Sequence, residues 1–411
     1  MNNKDFLLSI NPTKIKFGLK RTKALLKACS NPHKKLYSIQ IIGTNGKGST
    51  SAMMTHTLHK HNIKVGHFTS PHLIDLKERI KINNEYIDNK YVDSFIEKYK
   101  KHIIDIGVSF FEIMSVMAIK YFADYKVDIA ILETGLGGRL DSITAMESAG
   151  LIITSISMDH MNILGNNLKL IAQEKAGAIT NHTHWIISTI QEPVVANILK
   201  KKAAIKNCKV QYIPADFYFT LSDSCKYLPG EHQIANANLA FAGIKMIWKK
   251  IHNYSFPLCN TKLILETFWP GRIQKIQLDP DIIFDVAHNT QGIQAFIKYF
   301  NNHNVKYDKK YLIVGFESTK DISNILNDLI IQFDSTIITE TQVKSSMTAQ
   351  LLYQEVKHKD NVAINVDAHE SIIKIKNTMK ENDILVILGS HYFGNTLNKI
   401  FKNCFDNQYK A

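Results

Sequence analysis

The chain has 411 residues, 45% of them apolar and 21% charged, with a formal net charge of +13. That balance excludes a disordered or fibrous chain and suggests two or three domains of ~150 residues each. No apolar run approaches the ~20 residues that span a bilayer, the N-terminus has no apolar signal core, and five scattered cysteines form no CxxC pair, so a reducing cytoplasm is expected and a zinc ribbon or disulfide framework is not.

In chain order, the apolar run 36–42 reads as a buried strand that enters a glycine-rich turn, and 49–61 as the helix after it. A strand at 65–69, helices at 91–106 and 110–125, strands at 127–132 and 151–157, a helix at 168–178 and a strand at 184–189 follow. Strands alternating with helices predict a parallel sheet covered on both faces. The aromatic-rich stretch 208–223 reads as β-structure outside that pattern. After Pro270-Gly271-Arg272 a second series begins, with strands at 282–286, 311–314, 335–339 and 384–388 and a helix at 291–301. The expected domains are therefore 1–278 and 279–411.

The basic residues are spread along the chain without a stripe, which favours solvated surface and anionic small ligands over nucleic acid. Only four of the 50 basic residues are arginine (Arg21, Arg79, Arg139, Arg272), and three of these fall inside the motifs below. In a chain that otherwise uses lysine, arginine marks places that need a planar, delocalised cation.

Three motifs follow strands of the first series. Gly43-Thr44-Asn45-Gly46-Lys47-Gly48-Ser49-Thr50 opens a helix. Its glycines let backbone N–H groups approach phosphate oxygens, Lys47 can reach the terminal phosphates, and a Ser49 or Thr50 hydroxyl can sit on Mg²⁺. It departs from GxxxxGK[ST], with Ile41 at the first-glycine position and Gly48 between the lysine and the hydroxyl. Glu133 to Asp141 places a carboxylate, three glycines and Arg139 after the next strand, where ligands of open parallel sheets bind. Met158-Asp159-His160 ends a third, and its histidine implies Mn²⁺ tolerance or a second metal site. In the second series, Asp285 and His288 again put an acid and a histidine at a strand end.

Together these strings resemble the folylpolyglutamate synthase/dihydrofolate synthase family of the Mur ligase superfamily. The resemblance is carried by GTNGKGS at 43–49, SPHL at 70–73, ERI at 78–80, FFE at 110–112, LETGLGGRLD at 132–141 and TSISMDH at 154–160. It continues through EKAG at 174–177, GEHQIANA at 230–237, PGR at 270–272 and FDVAHN at 284–289, then thins to Lys320-Asp321 and Gly389-Ser390-His391. It implies a P-loop, Mur-ligase-like α/β domain with a mainly parallel sheet, followed by a smaller Rossmann-like α/β domain. It implies ATP bound by Thr44, Asn45, Gly46, Lys47, Gly48, Ser49, Thr50, Asn236, Arg272 and Asp285. Mg²⁺, at one or two sites, would be held by Ser49, Ser70, Glu133 and His160. The pterin or folate pocket would comprise Phe111, Glu112, Arg139, Leu140 and Asp141. Lys47, His288 and Lys175 are assigned to catalysis, Lys175 matching a lysine that is carbamylated in relatives. The implied reaction adds L-glutamate to dihydropteroate, to folates, or to both, in a monomer without nucleic-acid or membrane partners. A folate-only synthase, a ligase of cell-wall precursors and a nucleotide-binding module without ligase activity are the alternatives.

Overall fold

A computed structural model describes residues 3–10, 16–318, 320, 322–341 and 343–406; Asp321 lies outside the described residues. They group into two compact units. The first comprises Met1–Ser157, Leu164–Ser222 and Ile234–Thr267, and the second Met158–Ile163, Asp223–Gln233 and Phe268–Ala411.

The first unit is built on eight strands: β1 (Ser38–Ile42), β2 (Val65–Phe68), β3 (Ile80–Ile82), β4 (Glu85–Tyr86), β5 (Ile129–Glu133), β6 (Gly150–Ile153), β7 (Trp185–Thr189) and β8 (Val210–Ile213). Their order is β4-β3-β2-β5-β1-β6-β7-β8, parallel except where β3 and β4 turn back antiparallel at one edge. Every residue of β1, β5 and β6 is buried, which is why these strands are mostly apolar and show no polar alternation on a solvent face. The two polar residues of β1 are both satisfied: Ser38 Oγ donates to Ser148 Oγ at 3.1 Å, and Gln40 Nε2 donates to Thr134 Oγ1 at 2.9 Å and to Thr144 Oγ1 at 3.0 Å. The helix Phe110–Asp124 is buried almost all round, with Ile113, Met114, Val116, Met117 and Ile119 fully inside the core beside Phe68 and Leu132.

Two expectations shift. The stretch 208–223 supplies β8, which continues the same sheet in parallel beside β7. The third central strand stops at Ile153, because Thr154 to Ser157 turn their backbone groups to the loop after β1.

The second unit holds β9 (Gln274–Gln277), β10 (Asp281–Asp285), β11 (Lys310–Val314), β12 (Ser335–Ile338), β13 (Val362–Ile364) and β14 (Ile384–Leu388). They run in the order β13-β12-β11-β14-β10-β9, all parallel except β9 against β10. Phe296 and Phe300 of the helix Thr290–His303 pack on this sheet, and Phe300 stacks on Phe333 at 4.8 Å. The α/β class with two mainly parallel sheets is the one expected from the sequence.

Candidate active site

β1 and β5 lie side by side, so the loops leaving their carboxyl ends meet. The first loop enters the helix Lys47–Lys60 through Gly46, whose φ of +88° places it in the left-handed region and whose N-cap position carries no side-chain cap. The helix start therefore keeps backbone N–H groups directed outward for an anion. A Cβ on Gly46 would lie 2.4 Å from Asn236 Oδ1, so only glycine allows the loop and Asn236 to approach this closely. The loop is tied down on its other side: Thr44 N–H donates to Ser155 O at 2.7 Å, and Ser157 N–H donates to Thr44 Oγ1 at 3.0 Å. Lys47 Nζ donates to Thr44 O at 3.1 Å, Ser49 is buried, and the buried Thr50 hydroxyl has no hydrogen-bond partner among the described residues. A helix start without a side-chain cap, on a loop that glycine lets pack closely against Asn236, suits a phosphate-binding turn.

The second loop begins at Glu133, whose buried carboxylate accepts from Ser70 N–H at 3.3 Å. The sequence therefore brings Ser70 and Glu133 together, on the end of β5 and just past β2. Lys175 is buried and its Nζ donates to Gly43 O at 2.8 Å, directly under the phosphate loop. Arg139 stands over the same helix end: its N–H donates to Glu174 O at 2.9 Å, and its guanidinium grips the Glu174 carboxylate, with Nη2 to Oε1 at 2.8 Å. Arg139 is thus already paired, and its side chain is 55% exposed.

Asp141 and Glu112, both placed in the acceptor pocket by the resemblance, have backbone duties here. Asp141 accepts from Leu136 N–H and Ile143 N–H, each at 2.9 Å, folding the glycine-rich loop around its carboxylate. Burial, against those hydrogen bonds, pushes its carboxyl up to about 6. Leu140 sits half-buried beside it. Glu112 closes the capping box of its helix by accepting from Ser109 N–H at 2.6 Å, and it pairs with Arg21 Nε at 3.1 Å. Phe111 is half-buried, tilted against Phe68 at 5.8 Å. Nearby, Arg79 donates from Nε to His72 Nδ1 at 2.9 Å and lies over the Phe110 ring at 5.4 Å.

The second unit collects the remaining candidates. Asp285 at the end of β10 accepts from Ile273 N–H and Ala287 N–H, both at 2.6 Å, and burial raises its carboxyl to about 6 despite the Arg272 guanidinium. Its bond to Ile273 holds a β-branched residue at φ +48°, which sets the turn that presents Arg272. His288 Nδ1–H donates to Val286 O at 2.8 Å, so its Nε2 faces Asp159 Oδ2 at 3.9 Å. Burial first, then the Lys320 ammonium, depress the His288 imidazole to about 3, which keeps it neutral. His160 also belongs to this unit, on a left-handed turn at φ +51°. Asp159 beside it would gain protons from burial alone, but Lys320, His160 and His288 hold its carboxyl far below the ordinary range.

Sequence reasoning missed Gln191, whose amide binds Thr154 O at 2.8 Å and Ile156 N–H at 3.1 Å, fixing the segment that braces the phosphate loop. Nothing local to Gln191 signals this. It also took only the histidine from Met158-Asp159-His160, whereas Asp159 has more partners. Among the described residues no three His, Cys, Asp or Glu side chains converge into a preformed metal cage.

Comparison with known proteins agrees with this geometry. The Mur ligase, glutamate ligase domain matches residues 271–391. The chain is 31% identical to the dihydrofolate synthase/folylpolyglutamate synthase of Bacillus subtilis, over 94% of this chain and 96% of that protein. A solved structure of Mycobacterium tuberculosis folylpolyglutamate synthase complexed with ADP and AMPPCP superposes with a TM-score of 0.84 at 25% identity, covering 98% of this chain and 99% of that one. The Yersinia pestis bifunctional synthase, complexed with AMPPNP and a Mn ion, shares the fold with a TM-score of 0.81 at 23% identity, covering 97% and 96%. Likeness along nearly the whole length of both chains, with the phosphate loop in place, makes this chain a member of the dihydrofolate synthase/folylpolyglutamate synthase family of ATP-dependent ligases.

Proposed function

We propose that the chain joins L-glutamate to dihydropteroate, to the γ-carboxylate of folates, or to both, at the expense of ATP. The observation that carries the reading is the Gly43–Thr50 turn, an uncapped helix start braced by Lys175 beneath it and flanked by the Glu133 carboxylate. A carboxylate is a poor acyl donor. Transfer of the γ-phosphoryl group to it gives ADP and an acyl phosphate, whose acyl carbon the glutamate amine then attacks, releasing phosphate and a proton. Backbone N–H groups of residues 44–50 and Lys47 would hold the triphosphate in line, and Asn236, Arg272 and Asp285 are the further nucleotide contacts on this reading. Ser49, Ser70 and Glu133 would hold Mg²⁺, His160 is the further metal ligand on this reading, and a divalent ion would supply charge neutralisation for the phosphates. Mn²⁺, present with a relative, fits the imidazole of His160.

Carbamylation of Lys175 would convert a buried ammonium into a carboxylate beneath the loop. His288 would be the further catalytic residue on this reading. Phe111, Glu112, Arg139, Leu140 and Asp141 would border the acceptor pocket, Glu112 and Asp141 by shaping its backbone. On this reading 1–278 is the ATP-binding domain and 279–411 the C-terminal ligase domain of a cytoplasmic monomer, a setting consistent with the free thiols of Cys29, Cys208, Cys225 and Cys404. No helix among the described residues is long and apolar enough to cross a membrane.

The test is phosphate release with dihydropteroate and with tetrahydrofolate, each with and without L-glutamate. Glutamate-dependent release with either pterin supports the reading. Turnover that ignores glutamate, or that occurs only with a cell-wall precursor, refutes it.

A further inference from the structure

We propose that Asp159 is a positioning residue of the ligase reaction, fixing the Lys320 ammonium and the Asn289 amide on the wall of a cavity in the second unit. The cavity is about 300 Å³, and Asp159, His160, Asn289, Thr290, Ser318 and Lys320 line it. Asp159 Oδ1 accepts from Lys320 Nζ at 2.8 Å and from the His160 N–H at 2.8 Å, while Oδ2 accepts from Asn289 Nδ2 at 3.0 Å. One carboxylate therefore sets three groups that reach the same space. Asn289 is held from its other end as well, since its Oδ1 accepts from Gly292 N–H at 2.9 Å and caps the helix Thr290–His303. His160 Nε2 lies 3.3 Å from Lys320 Nζ, so the ammonium stands between a carboxylate and an imidazole.

A bulk role in stability explains this poorly. The side chains of Lys320 and Asp159 are only 4% and 9% exposed, and a buried ion pair adds little that well-packed apolar residues would not. What the pair does supply is a cation fixed in advance at a cavity wall. Two of the three ammonium donors meet partners among the described residues, Asp159 and His160, which leaves one for a ligand. Every reactant of the proposed reaction is an oxyanion, and a fixed cation stabilises charge developing on a phosphoryl or carboxylate oxygen without reorganising at the moment of reaction. Asp159 acts through Lys320; it does not itself touch the reacting atoms.

The inference rests on the ligase reading above. Four variants of the full chain test it: Lys320→Gln, Asp159→Asn, the double Asp159→Asn/Lys320→Gln, and the charge-exchanged Asp159→Lys/Lys320→Asp. Initial rates of glutamate-dependent phosphate release give kcat and the KM for ATP, and thermal melts report folding. Lys320→Gln is expected to lower kcat at least ~100-fold and Asp159→Asn at least ~10-fold, with the KM for ATP within about threefold. The double variant should match Lys320→Gln within about threefold, because Asp159 acts on the rate through the ammonium, while Asn289 stays held by the Gly292 N–H. The charge-exchanged chain should melt near the parent yet stay inactive. Losses that multiply in the double variant, activities that follow melting temperature across the set, or recovery of activity on charge exchange would overturn the proposal. Should Asp159→Asn fail to fold, the double variant against Lys320→Gln still decides. A parent chain with no glutamate-dependent release refutes the ligase reading and this inference together, whereas an active parent isolates the inference.

Discussion

Gly46→Ala probes how tightly the phosphate loop is built. Alanine at φ +88° carries a left-handed penalty of about 1–2 kcal/mol. Its Cβ would also lie 2.4 Å from Asn236 Oδ1 and 3.1 Å from Asn236 Cγ, well inside contact. Asn236 is 7% exposed, so it has little room to retreat, and overpacking of this kind adds about 1–3 kcal/mol. The expected loss of stability is therefore about 2–5 kcal/mol. Gly107→Ala is the matched control, with φ +68° and nothing within 4 Å of the added methyl, so it should lose only the backbone part, about 1–2 kcal/mol. Urea denaturation followed by circular dichroism measures both. Adding Asn236→Ala to Gly46→Ala should relieve the steric part, and titration with a non-hydrolysable ATP analogue should show weakened binding for Gly46→Ala alone among the two glycine variants. If Gly46→Ala is no less stable than Gly107→Ala and binds nucleotide normally, the close approach of loop and Asn236 is wrong, and with it the argument that only glycine fits.

Lys47→Ala should leave the melting curve close to that of the parent and lower glutamate-dependent phosphate release by about 10²–10³-fold; near-normal turnover would remove Lys47 from the site. Glu133→Gln should raise the Mg²⁺ concentration for half-maximal activity at least ~10-fold, and an unchanged metal titration would count against its role. Asp141 gives a pH dependence with a definite sign. Its carboxyl is raised from 3.8 to about 6 in the folded chain, so the folded state binds the proton more tightly. The associated stability is fully present below pH 3.8 and is lost as pH rises through about 6, roughly 3 kcal/mol in all. Asp141→Asn should flatten that part of the stability curve, and a slope unchanged by the substitution would show that the carboxyl titrates normally.

The α/β class was legible because the central strands are covered on both faces. Runs such as Ile129-Ala130-Ile131-Leu132 have no polar alternation, and that pattern belongs to parallel sheets. The phosphate turn was legible because glycines, a lysine and hydroxyls are needed in a fixed local order. The β3–β4 hairpin was missed, although Asn83 and Asn84, both at positive φ, form the tight turn that joins it; the strands it connects are too short to show alternation. The helix His232–His252 offers little amphipathic period to read, because residues 236–244 are all buried. Site partners far apart in sequence had no local signature. Gln40 meets Thr134, Lys175 meets Gly43 and Lys320 meets Asp159 only once the crossovers are made. Nor could the sequence tell a carboxylate that meets substrate from one occupied with backbone N–H groups, as Asp141 and Glu112 are.

The scarcity of arginine gives this protein an unusual chemical handle. A dicarbonyl reagent that modifies guanidines has only four addresses among 50 basic residues, and their environments differ sharply. Arg139 is largely open to solvent, Arg21 is 27% exposed against Glu112, and Arg79 is enclosed between His72 and Phe110. Labelling should therefore proceed in that order, and protection of Arg139 would report occupancy of the glycine-rich loop, a footprint that a chain decorated evenly with arginine would blur.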